Sequence, residues 1–233
     1  MNKYNAKHCL ATYMLLVFFA IMSMTPSLAQ NTTASQPEPP NPSASDSNTG
    51  TLLYSDDFSS SKSGWEIVTS GDFLAGYKKG VYHITIVPED YWDGTSAPNL
   101  GLGDLAVEVE AKKEAGSDDN VYGIWMRNQG NGSFYAFLIS SDGYFEYAKK
   151  DNGTWVMPSN WTKSSAIKTG EETNRLKVVA KGDKFDFYDN DVLLDSYVDS
   201  QFKIGWLGLW VGTQSEGNVT IGFDNFRVWS LKD

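Results

Sequence analysis

The sequence predicts an all-β fold, an antiparallel β-sandwich, over residues 51–233. Apolar and polar residues alternate with a period of two, as in 105–111, and turn-forming pairs such as Asp142-Gly143 separate these stretches. The 3.6-residue period of an amphipathic helix is almost absent. The chain also holds 8 Trp, 12 Tyr and 12 Phe, which supply large side chains for a core. Many short strands with close turns are typical of a sandwich or barrel.

Residues 1–29 read as a secretory signal peptide. Lys3 and Lys7 precede an apolar run over 10–24, and Ser27-Leu28-Ala29 places small residues where signal peptidase cleaves. The run is about 15 residues long, shorter than the roughly 20 that span a bilayer, so we favour cleavage over a retained membrane anchor. The sequence therefore predicts a secreted, periplasmic or extracellular protein, and no later segment is apolar enough to span a membrane.

Residues 30–50, QNTTASQPEPPNPSASDSNTG, are predicted to be a disordered tether. They contain four of the eight prolines in the chain and no aromatic or large aliphatic residue. Such a segment cannot bury enough apolar surface to offset the entropy lost on ordering. No comparable break in composition follows, so residues 51–233 are predicted to form one domain.

The charge and the few reactive side chains exclude several classes of function. With 19 Lys and Arg against 29 Asp and Glu, the net charge is −10, which argues against binding nucleic acid. Cys9 and His8 lie in the predicted signal, so the domain has no cysteine and one histidine, His83. Disulfides, thiol catalysis and a zinc site built on cysteines or several histidines are therefore excluded, and a catalytic triad would need His83 as its base.

Individual strands follow from the alternation, and the turns between them follow from Gly, Asp and Asn. In 105–111, Leu105, Val107, Val109 and Ala111 share one face, opposite Glu108 and Glu110. Further strands are predicted at 134–140, 144–149, 176–181 and 184–188. Tight turns are predicted at Asp142-Gly143, Gly182-Asp183 and Asp189-Asn190-Asp191.

The order of short motifs along the domain resembles that of a known superfamily. The motifs are Asp56-Asp57-Phe58, Gly64-Trp65, Tyr122–Arg127, Phe134–Ile139, Asn174–Val178, Phe185–Asn190, Gly205–Leu209 and Phe223–Val228. This order is similar to the concanavalin A-like lectin/glucanase jelly roll, and most similar to the laminin G-like and 3-keto-disaccharide hydrolase-like domains of secreted bacterial proteins. The resemblance covers about 51–233 and implies a jelly-roll fold.

Catalytic candidates are few. Glu108 and Glu110 lie two residues apart on one face of a strand, roughly 6.5 Å along it, which is compatible with the paired carboxylates of a glycosidase. The Glu-x-Asp-x-x-Glu strand that marks retaining glucanases of the resembled fold is absent from 108–114, where the central Asp is missing. His83 lies in a strand without a Gly-x-Ser-x-Gly nucleophile motif, so a hydrogen-bonded or surface histidine is favoured over a general base.

A structural calcium ion is a further candidate. The resemblance implies that the first and last strands meet, which would bring Asp56 or Asp57 near Asp224. Carboxylate oxygens are the ligands that calcium prefers. The alternative is that Asp56 and Asp57 shape a turn and that Asp224 caps a bend.

Aromatic residues give the strongest indication of function, because sugar rings stack on indole and phenol rings while polar groups bind the hydroxyls. Tyr91 and Trp92 fall in a predicted loop, 88–98. Trp155 and Trp161 flank another loop, with Asn160 beside them. The alternation also places Trp125 and Arg127 on one face of a strand, where both could look out from the sheet. The remaining tryptophans, most of Trp65, Trp206, Trp210 and Trp229, are expected in the core.

These observations favour a secreted, non-catalytic module that binds glycan or another extracellular polymer. One alternative is a glycoside hydrolase similar to the 3-keto-disaccharide hydrolases, using Glu108, Glu110 or His83. The other is a protein–protein adhesion module. An enzyme requires these groups to converge in a cleft, a glycan binder requires exposed tryptophans, and an adhesion module requires a broad exposed apolar patch.

Overall fold

The computed structural model describes residues 49–232, which contain strands and turns and no helix that could span a lipid bilayer. The strands, in chain order, are β1 (Thr49–Asp56), β2 (Phe73–Lys78), β3 (Val81–Ile86), β4 (Trp92–Leu102), β5 (Leu105–Ala115), β6 (Asn120–Asn128), β7 (Phe134–Ile139), β8 (Tyr144–Asp151), β9 (Thr154–Val156), β10 (Thr162–Lys163), β11 (Asn174–Lys181), β12 (Lys184–Asp189), β13 (Val192–Val198), β14 (Gly205–Thr213) and β15 (Val219–Leu231).

The strands form two antiparallel sheets, which confirms the predicted all-β sandwich. The eight-stranded sheet has the order β13-β12-β11-β5-β15-β3-β2. Its eighth strand, β1, pairs with the C-terminal part of β15, from Phe226 to Leu231. The seven-stranded sheet has the order β10-β8-β7-β6-β14-β4, and β9 pairs with β8. The first and last strands of the domain are therefore neighbours, as the resemblance implied.

The core lies between the two inner faces and follows from the alternation. In β5, Leu105, Val107, Val109 and Ala111 are buried in the core, while Glu108 and Glu110 point to the other side. The seven-stranded sheet contributes its own alternate residues, including Tyr122, Ile124, Met126, Tyr135 and Phe137. Because each fully buried aliphatic or aromatic side chain contributes about 1.5–3 kcal/mol, this interface needs no disulfide to be stable.

The predicted turns are present where the sequence placed them. Asn190 and Asp191 join β12 to β13 with φ of 47° and 67°, the left-handed pair that a two-residue hairpin turn requires. Gly143, with φ of 94°, closes the turn between β7 and β8. Short polar residues and glycine occupy these positions because they tolerate positive φ.

The predicted segment boundaries are only partly within the described residues. The signal peptide, 1–29, lies outside them, as does most of the predicted tether, 30–50. Thr49 and Gly50, which were predicted to end the tether, belong to β1 instead, where Thr49 pairs with Leu231.

Candidate functional site

Tryptophan and glycine alternate along one face of β14. Leu207, Leu209 and Val211 point into the core. The other face, the outer face of the seven-stranded sheet, therefore carries Trp206, Gly208, Trp210 and Gly212 in turn. We call this surface the tryptophan face.

The two strands beside β14 continue this pattern. Trp210 lies between Gly94 of β4 and Gly123 of β6, whereas Gly212 lies opposite Trp92 and Gly208 opposite Trp125. A Cβ at Gly94 would be 2.7 Å from Cε3 of Trp210, and a Cβ at Gly208 would be 2.8 Å from Cζ2 of Trp125. Each glycine thus leaves the space that a neighbouring indole ring occupies.

The indole rings pack on one another as a central aromatic cluster, defined here as Trp92, Trp125, Phe134, Trp155 and Trp210. The ring centroids of Phe134 lie 5.2 Å from Trp210 and 5.6 Å from Trp155, in tilted and edge-on contacts. The rings of Trp92 and Trp155 are also 5.6 Å apart, although they come from strands at opposite edges of the sheet. The sheet must therefore curve over this face, because strands are spaced about 4.8 Å apart.

Hydrogen bonds hold the cluster to the sheet. Trp92 Nε1 donates to the carbonyl of Thr213 at 2.7 Å, and Trp125 Nε1 donates to the carbonyl of Leu209 at 3.1 Å. The ammonium group of Lys150 lies 5.0 Å from the Trp155 ring centroid, a cation–π contact. The rings of Trp92, Trp125 and Trp155 are thus fixed by protein partners.

The predicted loop residues are closer to the sheet than the sequence suggested. Trp92 begins β4 and Trp155 is the middle residue of β9, so the prediction that both lie on loops is wrong. Both are half-buried, as is Trp161, which packs against the same cluster. Tyr91 and Asn160 are exposed, and Tyr91 Oη donates to Asp93 at 3.4 Å.

Trp125 and Arg127 do not share an exposed face, which corrects the prediction for both. Trp125 is on the tryptophan face but only 3% exposed, beneath its aromatic neighbours. Arg127 is 1% exposed, because Met126 and Arg127 together stand opposite Leu207 and form a bulge that turns Arg127 inward.

The Arg127 guanidinium stabilises the fold by binding backbone carbonyl groups of other segments. It donates to the carbonyls of Gly182, Phe202 and Gly103 at 2.9, 3.0 and 3.1 Å, and it lies 4.7 Å from the ring centroid of Phe185. Burial lowers the pKa of Arg127 below its usual value, whereas the neighbouring Asp104 raises it. Arg127 is therefore a structural residue and is not placed to bind a ligand.

A groove opens at the end of the tryptophan face, around Trp206. Its volume is about 560 Å³, and its lining comprises Gly64, Glu66, Thr95, Ser96, Ala97, Pro98, Asn99, Asn128, Gly130 and Trp206. We call it the Trp206 groove. On the β4 side, residues 97–100 stand opposite Leu207 alone, so β4 bulges away from β14 and opens this space.

Trp206 itself is 49% exposed, so the expectation that it lies in the core is wrong. Trp210 and Trp229 are half-buried on outer faces, and Trp65 alone of these four tryptophans is in the core. The Trp-x-Gly-x-Trp-x-Gly alternation over 206–212 carried a signal for an outer face, because the intervening Leu207, Leu209 and Val211 form the continuous apolar row that faces the core.

The predicted calcium ligands lie on neighbouring strands, because Asp56 of β1 pairs with Phe226 of β15, two residues from Asp224. Asp56 accepts the backbone N–H of Phe58 at 2.8 Å and the Tyr54 hydroxyl at 3.3 Å, so both of its oxygens have protein partners. Burial and the nearby carboxylates of Glu110 and Asp57 raise the pKa of Asp224. Within residues 49–232, no group of three His, Cys, Asp or Glu side chains is arranged to hold a metal ion. A calcium site therefore stays a prediction.

The catalytic candidates Glu108 and Glu110 lie on the outer face of the eight-stranded sheet, away from the tryptophan face. Glu108 is ion-paired with Arg227 at 3.6 Å and Arg175 at 3.9 Å. Burial raises the pKa of Glu108, and the two guanidinium groups lower it. Glu110 accepts Nδ2 of Asn225 at 3.2 Å. Both carboxylates thus have protein partners, and neither lines a groove described here.

His83 lies on the same outer face, in a shallow groove of about 310 Å³. Its Nε2 is 2.7 Å from Oε2 of Glu114, a residue that the sequence analysis did not pair with it. Its Nδ1 is buried and has no hydrogen-bond partner among the described residues. Because that nitrogen is closed to solvent, it cannot take a proton from a bound substrate in this arrangement.

No protein-family model matches the chain, and no curated protein matches it. Solved structures do. Carbohydrate binding module CBM66 from Bacillus subtilis is 20% identical, with a TM-score of 0.50 over 79% of this chain and 98% of that one. The CBM2 module of the evolved Dit of Lactobacillus casei BL23 phage J-1 is 13% identical, with a TM-score of 0.57 over 80% and 98%.

An enzyme domain has a similar fold. The catalytic domain of an endo-1,3-beta-glucanase from Thermotoga petrophila RKU-1 is 11% identical, with a TM-score of 0.57 over 78% of this chain and 98% of that one. At these identities the likeness shows the fold alone. Residues 49–232 therefore have the antiparallel β-sandwich, jelly-roll fold of these structures.

Proposed function

We propose that the domain is a non-catalytic glycan-binding module and that the tryptophan face is its binding surface. The observation that carries the proposal is the alternation of Trp and Gly on β14, which places several indole rings on one outer face. The apolar face of a sugar ring stacks on indole, and neighbouring polar groups can bind its hydroxyls. A surface of this kind recognises sugar rings without any chemical step.

Two further observations support this proposal. Two of the similar structures are named carbohydrate-binding modules, although the likeness to them is one of fold. The candidate catalytic groups Glu108, Glu110 and His83 lie on the other sheet. A substrate on the tryptophan face would therefore not contact them.

A glycan array with the wild-type protein tests the proposal, followed by titration with the glycans that bind. We expect at least one glycan to bind. Replacing Trp92, Trp155 and Trp206 together by alanine should abolish this binding, whereas Trp229→Ala on the opposite sheet should leave it unchanged. Circular dichroism must show that the triple variant is folded. An array without any bound glycan, or equal binding by the triple variant, would contradict the proposal.

Hydrolysis is the second candidate function; it would require the His83–Glu114 contact, 2.7 Å long, to open so that a ring nitrogen of His83 reaches a substrate. A release assay for reducing sugar on the glycans that bind decides between the two. A non-catalytic module should release none. Turnover that disappears in both His83→Ala and Glu114→Gln would instead establish an enzyme.

An adhesion module is the third candidate. The edge strand β13 exposes Val192, Leu193 and Val198, at 50, 51 and 69%. This is a short apolar edge and not a broad patch, so it favours adhesion less than the tryptophan face favours glycan binding.

Export is also proposed, because residues 1–29 have the pattern of a secretory signal peptide. Amino-terminal sequencing of the protein recovered from the culture medium or periplasm would test it.

A further inference from the structure

We infer that the Trp206 groove is the place where a sugar ring stacks, and that the ligand is an uncharged glycan. This inference rests on the proposed glycan-binding function and narrows it in two ways. It selects one part of the tryptophan face, and it selects one chemical class of glycan.

The central aromatic cluster offers little free ring surface. Its rings cover one another at centroid distances between 5.2 and 6.3 Å. Trp125 is 3% exposed, and Trp92, Trp155 and Trp210 are half-buried. A sugar placed there would have to separate rings that already contact each other. The central aromatic cluster therefore mainly stabilises the tryptophan face.

Trp206 has the opposite surroundings. It is 49% exposed, the highest exposed fraction among the tryptophans of this face. Its strand neighbours are Gly101 and Asn128, and a Cβ at Gly130 would be 3.2 Å from its Cζ3. Gly130 has φ of 77° and donates its N–H to Oδ1 of Asn128 at 2.8 Å, which holds the loop against the ring. The indole is thus supported from the protein side and open from the solvent side.

The polar groups around Trp206 suit hydroxyls. The lining side chains of Glu66, Ser96, Asn99 and Asn128 offer carboxylate, hydroxyl and amide groups, the kinds that bind sugar hydroxyls. The side-chain oxygen of Asn128, Oδ1, accepts the N–H of Gly130. The side-chain NH₂ group of Asn128 can therefore act as a donor toward a ligand. The volume of about 560 Å³ lies within the usual range of small-ligand sites.

The charges select a neutral ligand. The lining contains one carboxylate, Glu66, and no Lys, Arg or His. A uronate or sulfated sugar would bring a second negative charge beside Glu66 without a cation to offset it. The net charge of −10 adds long-range repulsion toward polyanions. Uncharged polysaccharides are repelled neither by Glu66 nor by the net negative charge of the protein.

Titration calorimetry with the full chain tests both parts, using soluble neutral polysaccharides (glucan, mannan and fructan) and acidic ones (polygalacturonate, alginate and chondroitin sulfate). We expect binding to at least one neutral polymer and none to the acidic ones. Trp206→Ala should weaken that binding by about tenfold or more, as loss of a central aromatic anchor does. Trp206→Phe should retain part of it, and Trp229→Ala, on the other sheet, should stay within about threefold of wild type, as changes outside such an anchor do.

Each other outcome overturns a stated part. If Trp206→Ala binds like wild type while Trp155→Ala does not, the inference about the groove is wrong and the proposed function stands. Tighter binding to an acidic polymer would refute the neutral class. Binding to none of these polymers, together with an empty glycan array, would refute the proposed function itself. Because Trp206 is exposed, its variants should melt within a few degrees of wild type, which a thermal scan checks.

Discussion

Asp189 is a carboxyl group at the end of β12 that lies inside the sandwich, with no exposed surface. Its Oδ2 accepts Nδ2 of Asn190 at 2.9 Å, whereas its Oδ1 has no partner among the described residues. Burial raises the pKa of Asp189 from 3.8 to about 7, although the charges of Lys168 and Arg175 lower it somewhat. The folded protein thus holds this proton more tightly than the unfolded chain does.

Stability should therefore fall as pH rises. Below pH 3.8 the carboxyl group is protonated in both states, and between 3.8 and about 7 only the folded state retains the proton. We expect Asp189→Asn to remove this loss, so that the variant is more stable than wild type at pH 8 and close to it at low pH. Urea unfolding at pH 5 and pH 8 measures the difference.

The exposed Asp195, on β13, provides the matched control. Asp195→Asn should shift the urea midpoint about equally at the two pH values. If Asp189→Asn is less stable than wild type at pH 8, the buried carboxylate is stabilised there by a partner, and the prediction is wrong.

Single residues also show what the sequence could not predict. The inward turn of Arg127 depends on a bulge, and a bulge is defined by the count of residues on the partner strand. No pattern within 120–128 reveals that count. His83 was predicted to lie in a strand as a hydrogen-bonded or surface histidine, but its pairing with Glu114 required knowledge of which strands are adjacent.

At the scale of the strand, β14 supports the tryptophan face through its glycines. A Cβ at Gly208 would overlap the carbonyl oxygen of Thr95 and approach Cζ2 of Trp125 to 2.8 Å. The first obstacle is backbone of the neighbouring strand, which cannot move without loss of pairing. We expect Gly208→Ala to lower the free energy of unfolding by about 3 kcal/mol, the upper part of the range for overpacking.

Urea denaturation of Gly208→Ala measures this loss, with Gly76→Ala as the control. A Cβ at Gly76 would meet only Cγ2 of Ile67, at an ordinary 3.7 Å. The control should therefore stay within about 0.5 kcal/mol of wild type, as surface changes do. Equal losses in the two variants would mean that steric overlap on β14 is not the cause.

Individual strands and turns were predicted correctly where they depend only on residues that are close in the sequence. The alternation in 105–111 and the turn at Asn190-Asp191 depend only on neighbouring residues, and both are confirmed. Trp92 and Trp155 were misplaced on loops because short strands interrupted by Gly, Pro and Asn carry weak alternation. Their contact depends on how the whole sheet curves, which no local pattern encodes.

At the scale of the molecule, the candidate binding residues and the candidate catalytic residues lie on different sheets. The tryptophans occupy the outer face of one sheet, whereas Glu108, Glu110 and His83 occupy the outer face of the other. The sequence predicted both sets as candidates but could not show that the core separates them. Their separation depends on long-range pairings, such as that of β15 with β5 and β3.

The predicted calcium ion is also a question about the whole domain, because its ligands come from both ends. An ion at Asp56, Asp57 and Asp224 would bind only the folded state, so calcium should raise the melting temperature and a chelator should reverse this rise. Asp224→Asn should remove the effect, whereas Asp195→Asn should not. A melting temperature that is independent of calcium in the wild type would refute the site.

The pairing of β1 with β15 has a practical consequence for how the domain can be presented. Thr49 lies opposite Leu231, so the two ends of the domain leave from neighbouring positions in the eight-stranded sheet. The tryptophan face belongs to the other sheet. A biotin or resin linkage placed at either end would therefore attach to the sheet that does not carry the tryptophan face. The attached sheet is the same whichever end is used.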